Sequence, residues 1–262
     1  MLPFRFELGL ELVVPTDLDT DALGTFTGEV ERAGTPEQVC LRKARLGMVA
    51  TGLKFGVANE GSFGPHPYLF FVAADIEFMT FVDDQNGFVV TESLICERTN
   101  YGRRDVRTVG ELADWLPSIG FPEHALIVRP RCGQSGCAIA KGIRTIDHLE
   151  AALARAIGSS ADGMATVEPD MRAHLNPLRL AAIQRLGFRL ARRVASPCPV
   201  CSAPGWGRTG SVAGLPCQRC GGSTAMIEQE VFSCTACAHR EERPRRDGLV
   251  GAPPERCPYC NP

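Results

Sequence analysis

The sequence predicts an α/β protein, a mixed sheet flanked by helices, with a small cysteine-rich module behind it. Three observations carry that expectation. Helical and strand patterns alternate along residues 1–195, with one hairpin among them. The chain has 262 residues, 44% of them hydrophobic, enough for one sizeable core and a second, smaller module. Eight of the twelve cysteines fall after residue 195, as four Cys-x-x-Cys pairs. The domain boundaries read as 1–195 and 196–262. The composition also excludes classes. With 22% charged residues spread along the chain, a wholly disordered protein is ruled out. No apolar run reaches the roughly 18 residues of a membrane helix, so no membrane partner is expected. Met1-Leu2-Pro3-Phe4-Arg5 lacks a secretion pattern, which points to the cytoplasm.

The elements follow in order. Phe4 to Leu8 reads as a short helix and Glu11 to Val14 as a strand stopped by Pro15. Thr35-Pro36-Glu37-Gln38 is a strong helix start: Thr35 caps, Pro36 suits the first helical position and Gln38 completes a capping box. That helix should run to about Ala50 and stop near Gly52. A strand over Lys54 to Ala58 should feed a loop, Asn59 to Pro67. Ile76 to Val82 and Phe88 to Ile95 alternate as strands around Asn86-Gly87, the strongest short hairpin signal. Val109 to Leu116 reads as helix, Ala125 to Val128 as a buried strand, Thr145 to Ile157 as helix and Met164 to Val167 as a last strand. Asn176-Pro177 opens a long Arg-studded helix ending near Val194.

The net charge of -2 hides an asymmetry: residues 171–262 carry +7 and residues 1–170 carry -9. An acidic part and a basic part suggest two modules with different partners. The four pairs are Cys198/Cys201, Cys217/Cys220, Cys234/Cys237 and Cys257/Cys260. Zinc takes four tetrahedral thiolates, and each pair supplies two from one tight turn. Two structural zinc sites are therefore expected. The simplest pairing is two consecutive ribbons: Cys198, Cys201, Cys217 and Cys220 in one, Cys234, Cys237, Cys257 and Cys260 in the other. An interleaved pairing, first pair with third and second with fourth, also fits. Arg240, Arg243, Arg245 and Arg246 would suit a nucleic-acid or protein partner of the ribbons, or a solvated basic loop. Cys132 and Cys137 read as free thiols in a Gly-rich loop, Cys40 and Cys96 as packing residues.

One constellation in the first part carries chemistry. Lys43-Ala44-Arg45 lies on the capped helix, and Glu60-Gly61-Ser62 lies at a strand's carboxyl end, where ligands of open α/β sheets bind. Lys43 and Arg45 could neutralise phosphate, with Ser62 beside them. Glu60 could act in catalysis or hold magnesium, with Asp83 or Asp84. Arg172, His174, Asn176 and Arg179 gather at a helix start, where backbone N–H groups favour anions. His174 and the proline-flanked His66 are the candidate proton carriers.

The stretch Gly34 to Arg45, with Thr51-Gly52-Leu53 and Glu60, resembles the Ham1/inosine-triphosphate pyrophosphatase superfamily. That resemblance implies a magnesium-dependent nucleotide hydrolase, with Glu60 as acidic catalytic residue and Lys43 on phosphate. The superfamily's helix glutamate falls at Gln38, and its opening strand and phosphate loop have no counterpart here. The whole chain also resembles a bacterial family of unknown function, through Asp19-Thr20-Asp21, Gly24 to Val30, Glu60 to Pro67, Asp170 to His174, Asn176-Pro177 and the double ribbon. The expected function is thus a divergent metal-dependent nucleotide or phosphate-ester binding protein or hydrolase. The alternative is a nucleic-acid or adaptor module on a non-catalytic scaffold.

Overall fold

The computed structural model describes residues 2–16, 18, 23, 34–131 and 139–262. Cys132, Cys137 and the Gly24 to Val30 motif lie outside the described residues. The chain divides into two compact units, Met1–Val82 with Thr91–Leu190 and Asp83–Val90 with Ala191–Pro262.

The short helix α1 (Leu2–Leu8) buries Phe4, whose ring stacks on Phe81. The strand expected at residues 11–14 does not form; Val13 and Val14 are exposed in irregular chain. Helix α2 (Pro36–Thr51) begins and ends as its sequence dictates. Thr35 Oγ1 accepts from the Gln38 N–H, the Gln38 side chain accepts from the Thr35 N–H, and Gly52 closes the helix at φ 67°.

Strands β1 (Phe55–Pro65), β2 (Ala73–Asp83) and β3 (Phe88–Cys96) form an antiparallel sheet in that order. The acidic Gly-rich segment Glu60 to Gly64, expected as a loop, is the second half of β1. Asp83 builds the β2–β3 turn, accepting from the N–H of Gln85 and Asn86 and from the Asn86 side chain.

The second sheet has the order β4-β7-β5-β6, from β4 (Arg104–Val106), β5 (Leu126–Pro130), β6 (Ala140–Ile143) and β7 (Ala165–Pro169). Between β4 and β5 the expected helix shrinks to one 3-10 turn and the four-residue α3 (Trp115–Ser118). Helix α4 (Ile146–Gly158) links β6 to β7, as a crossover should, but β5 fills the slot between them. Every pairing in this sheet is therefore antiparallel, and the mixed sheet read from the alternating pattern is corrected to separate antiparallel sheets. Leu149 and Leu153 of α4 pack on Leu126, Val128 and Val167, a core where each buried leucine contributes about 2 kcal/mol.

Helix α5 (Pro177–Ala195) reaches one face of the first sheet through its arginines. Strand side chains alternate between faces. Lys43 of α2 meets Glu60, and the Cys40 thiol donates to the Ala58 carbonyl. On the other face Arg179, Arg185 and Arg189 of α5 meet Glu77, Cys96 and Glu92.

The second unit carries the third sheet, β10-β9-β8, from β8 (Gly207–Ala213), β9 (Ile227–Ser233) and β10 (Arg240–Pro244), all antiparallel. Trp206 and Phe232 form its small core with Cys198.

Candidate functional site

The ribbon unit shows why the cysteines pair as they do. One strand lies between each pair of cysteine knuckles and the next, and each strand carries the chain to the opposite end of the sheet. Gly207 and Arg240 both register with Ser233 at one end, whereas Ala213 pairs Ile227 and Pro244 pairs Gln229 at the other. Odd knuckles therefore meet at one end and even knuckles at the other. The clusters are Cys198, Cys201, Cys234 and Cys237, and Cys217, Cys220, Cys257 and Cys260, each with its sulfurs within 4.8 Å of one another. This corrects the consecutive pairing: the interleaved one is present. The Sγ pairs Cys198–Cys237, Cys201–Cys234, Cys217–Cys260 and Cys220–Cys257 lie 3.6–3.9 Å apart. Two thiolates on a tetrahedral zinc at about 2.3 Å would stand about 3.8 Å apart. Both clusters thus suit one zinc ion each. Backbone N–H groups of Cys220 and Arg219 lower the Cys217 thiol to about 7, whereas the neighbouring Cys220 side chain pushes Cys260 up to about 12.

The arginines of the basic stretch are tied within the ribbon. Arg240 pairs with Glu242, Arg243 with Glu241 and Arg245 with Asp247, while Arg208 and Arg246 share Glu230. Arg243 and Arg246 also lie over the Phe232 ring. The basic segment is largely neutralised.

In the first unit, the residues read as one constellation separate onto two faces of the β1-β2-β3 sheet. On the α2 face, Lys43 Nζ donates to Glu60 Oε2 at 2.6 Å, and both side chains are nearly buried. Lys43 thus neutralises Glu60, which offers no uncommitted charge to magnesium. Arg45 is exposed on α2 and Ser62 half-buried on β1. Asp83, spent in its turn, belongs to the other unit.

The α5 face holds the denser chemistry. Arg179 is 3% exposed and its Nε donates to Glu77 Oε1 at 2.6 Å. Arg179 Nη1 donates to the Met171 carbonyl at 2.6 Å, and the guanidinium lies 5.2 Å from the Phe63 ring centre. Asn59 Nδ2 donates to Glu77 Oε2. Gly61 makes room for the pair: a Cβ there would stand 2.7 Å from Arg179 Nη2 and 2.8 Å from Glu77 Oε1. Asp75, two residues before Glu77 on the same face, is 2% exposed, and its Oδ1 has no hydrogen-bond partner. Burial, then the Glu77 charge, pushes the Asp75 carboxyl up to about 8, against the pull of Arg179. Asp75 thus holds its proton more firmly than an ordinary aspartate, beside the arginine-bound Glu77.

The segment before α5 frames this cluster. Asn176 is fully buried; its Oδ1 accepts from the Arg179 N–H, and its Nδ2 donates to Asn100. Arg172 is held by Asp170, whose carboxylate accepts from the Arg172 Nε, Nη2 and backbone N–H. His174 is exposed on a one-turn 3-10 helix. His66 folds its own loop: Nδ1 accepts from the N–H of Tyr68 and Leu69, and Nε2 lies 3.6 Å from Glu97. The structure therefore joins Arg172, Asn176 and Arg179 around the Met171 turn and sets Lys43 and Glu60 apart. Sequence reading missed Asp75, Glu77 and Asp170. Asp75 and Glu77 look like the polar positions of an alternating strand, and only their burial distinguishes them.

The family described as Domain of unknown function (DUF6671) matches residues 43–262, both units included. The chain belongs to that family. No curated protein and no solved structure matches it. Nothing in these comparisons supports the pyrophosphatase likeness, so DUF6671 membership brings a family and no activity. Among the described residues of this DUF6671 chain, no helix is long and apolar enough to cross a membrane.

Proposed function

We propose that the first unit binds and hydrolyses a phosphate-bearing small molecule of the nucleotide class, with Asp75 and Glu77 as its acid–base pair. The observation that carries this is the buried, unpartnered carboxyl oxygen of Asp75 beside the arginine-bound Glu77. A buried carboxyl that holds its proton, beside a second carboxyl bound to arginine, offers an acid and a base side by side. Asp75 would give its proton to the leaving oxygen as the P–O bond breaks. Glu77, held in place by Arg179, would orient the attacking water and take its proton. The arginines gathered at the helix start, Arg172 and Arg179, favour phosphate as the group acted on. Glu60 is left out of the reacting set because it lies on the opposite face of the sheet from Asp75 and Glu77, paired with Lys43. The ribbons serve as a zinc-clamped module, since the arginines of their basic stretch are matched by carboxylates.

The test is phosphate and pyrophosphate release from a panel of nucleoside triphosphates and simple phosphate esters, with and without magnesium or manganese. Saturable release by the zinc-loaded chain is expected. No release from any member under any metal condition would overturn the proposal.

A further inference from the structure

The second sheet ends at β6, and α4 packs beside it. Between them lies a cavity of about 280 Å³, lined among others by Lys141, Gly142, His148, Ala151, Ala152 and Arg155. Its ionisable lining is entirely basic, in the part of the chain that carries the acidic excess. On α4 the lining residues 148, 151, 152 and 155 follow the i, i+3, i+4, i+7 spacing of one helix face. The alanines keep the floor low, and His148 and Arg155 stand at its two ends, two turns apart.

Several arginines of this unit are already committed. Arg129, Arg131, Arg172, Arg179 and Arg189 of this unit each meet a carboxylate. The side chains of Arg155 and His148 have no hydrogen-bond or ion-pair partner among the described residues. A further cation borders the groove. Gly142 takes φ 74°, and the Arg172 Nη2 lies 3.6 Å from where its Cβ would be. Asp170 fixes that guanidinium and also accepts from the Gly142 N–H. The strap Asp170-Met171-Arg172 therefore touches the groove at Gly142 and the buried cluster at Arg179, through the Met171 carbonyl.

We infer that the β6–α4 groove binds the phosphate group of a small molecule, with Arg155 and His148 as its principal donors and Lys141 on its strand wall. A concave site whose lining side chains include three basic ones and no carboxylate favours a compact, multiply charged anion, and guanidinium matches phosphate in bidentate geometry. This inference does not depend on the hydrolysis proposal, because its residues differ from Asp75 and Glu77 and binding is read without turnover.

The test is calorimetric titration of the full zinc-loaded chain with inorganic pyrophosphate, at ionic strength held constant with chloride. Arg155→Ala, His148→Asn and, as a control for general charge, the ribbon variant Arg256→Ala run beside it. Saturable binding at one equivalent is expected, weakened about tenfold or more in Arg155→Ala and unchanged in Arg256→Ala. Absent binding, or equal weakening in Arg155→Ala and Arg256→Ala, would overturn the groove. Turnover with binding unaffected by Arg155→Ala would also overturn it and leave the hydrolysis proposal standing.

Discussion

Ligand pairs chosen across the two zinc clusters give opposite outcomes under the two possible pairings. Cys201→Ser with Cys234→Ser removes two ligands of one interleaved cluster and spares the other. Cys201→Ser with Cys217→Ser damages both. Consecutive ribbons would reverse those results. The surviving cluster must hold zinc alone, and the structure indicates by how much it weakens. The clusters close overlapping loops, with Cys201 and Cys234 separated by 33 positions and Cys220 and Cys257 by 37. Closing one loop shortens the other only slightly, worth about 0.2 kcal/mol from the logarithmic dependence on length. The shared sheet couples them more. Losing the first cluster frays the end where Gly207, Ser233 and Arg240 pair, a few ladder bonds at about 1 kcal/mol each. A loss of roughly 3 kcal/mol lowers zinc affinity about a hundredfold, against on the order of 10 kcal/mol of binding per site. The Cys201/Cys234 variant should therefore retain one zinc and the Cys201/Cys217 variant none. A chelating dye that counts zinc released from denatured, dialysed protein reads this directly. One zinc in the Cys201/Cys217 variant and none in the other would refute the interleaved assignment.

Three further outcomes follow from the first unit. Asp75 keeps its proton to about pH 8 when folded, whereas a free aspartate loses it near pH 3.9. Between those values the folded state holds the extra proton, so stability falls as pH rises, by up to about 1.4 kcal/mol per unit, and this contribution is gone above pH 8. Urea unfolding from pH 5 to 9, followed by Trp115 in a Trp206→Phe background, should show that slope in the parent and lose it in Asp75→Asn; parallel curves would refute it. Gly61→Ala should destabilise by about 1–3 kcal/mol in the same assay, because its Cβ displaces a buried ion pair that is already in place. Arg179→Met should cost about 3–5 kcal/mol by leaving Glu77 buried without its partner, and adding Glu77→Gln should recover part of that. No recovery in the double variant would show that the arginine acts by packing alone.

Much of the local structure was legible. Thr35, Gln38 and Gly52 fix both ends of α2 because capping is a short-range matter of a few side chains. Asn86-Gly87 marks the β2–β3 turn for the same reason, although Asp83 turned out to be its organiser. Glycines misled the reading at Glu60 to Gly64: they suggest a loop, yet Gly61 lies within a strand so that Arg179 and Glu77 can pass close by. That demand comes from a residue more than a hundred positions away, which no local pattern reveals. The α4 crossover does join two strands of the same direction, and only the placement of β5 between β6 and β7 makes every hydrogen-bonded pair antiparallel. The cysteine spacing could have yielded the interleaved pairing. Each gap between knuckles holds one strand rather than a hairpin, and single strands send successive knuckles to opposite ends.

The central claim is that chemistry resides on the α5 face, at Asp75, and not at the Lys43–Glu60 pair on the α2 face. It is tested most directly by steady-state hydrolysis of the best substrate from the nucleotide panel by Asp75→Asn and Glu60→Gln, side by side. Loss of a general acid should lower kcat in Asp75→Asn by about 10²–10⁴-fold with KM little changed. Glu60→Gln, on the opposite face, should stay within about tenfold of the parent, as a substitution acting only on local packing would. A kcat that collapses in Glu60→Gln and survives in Asp75→Asn would contradict the account.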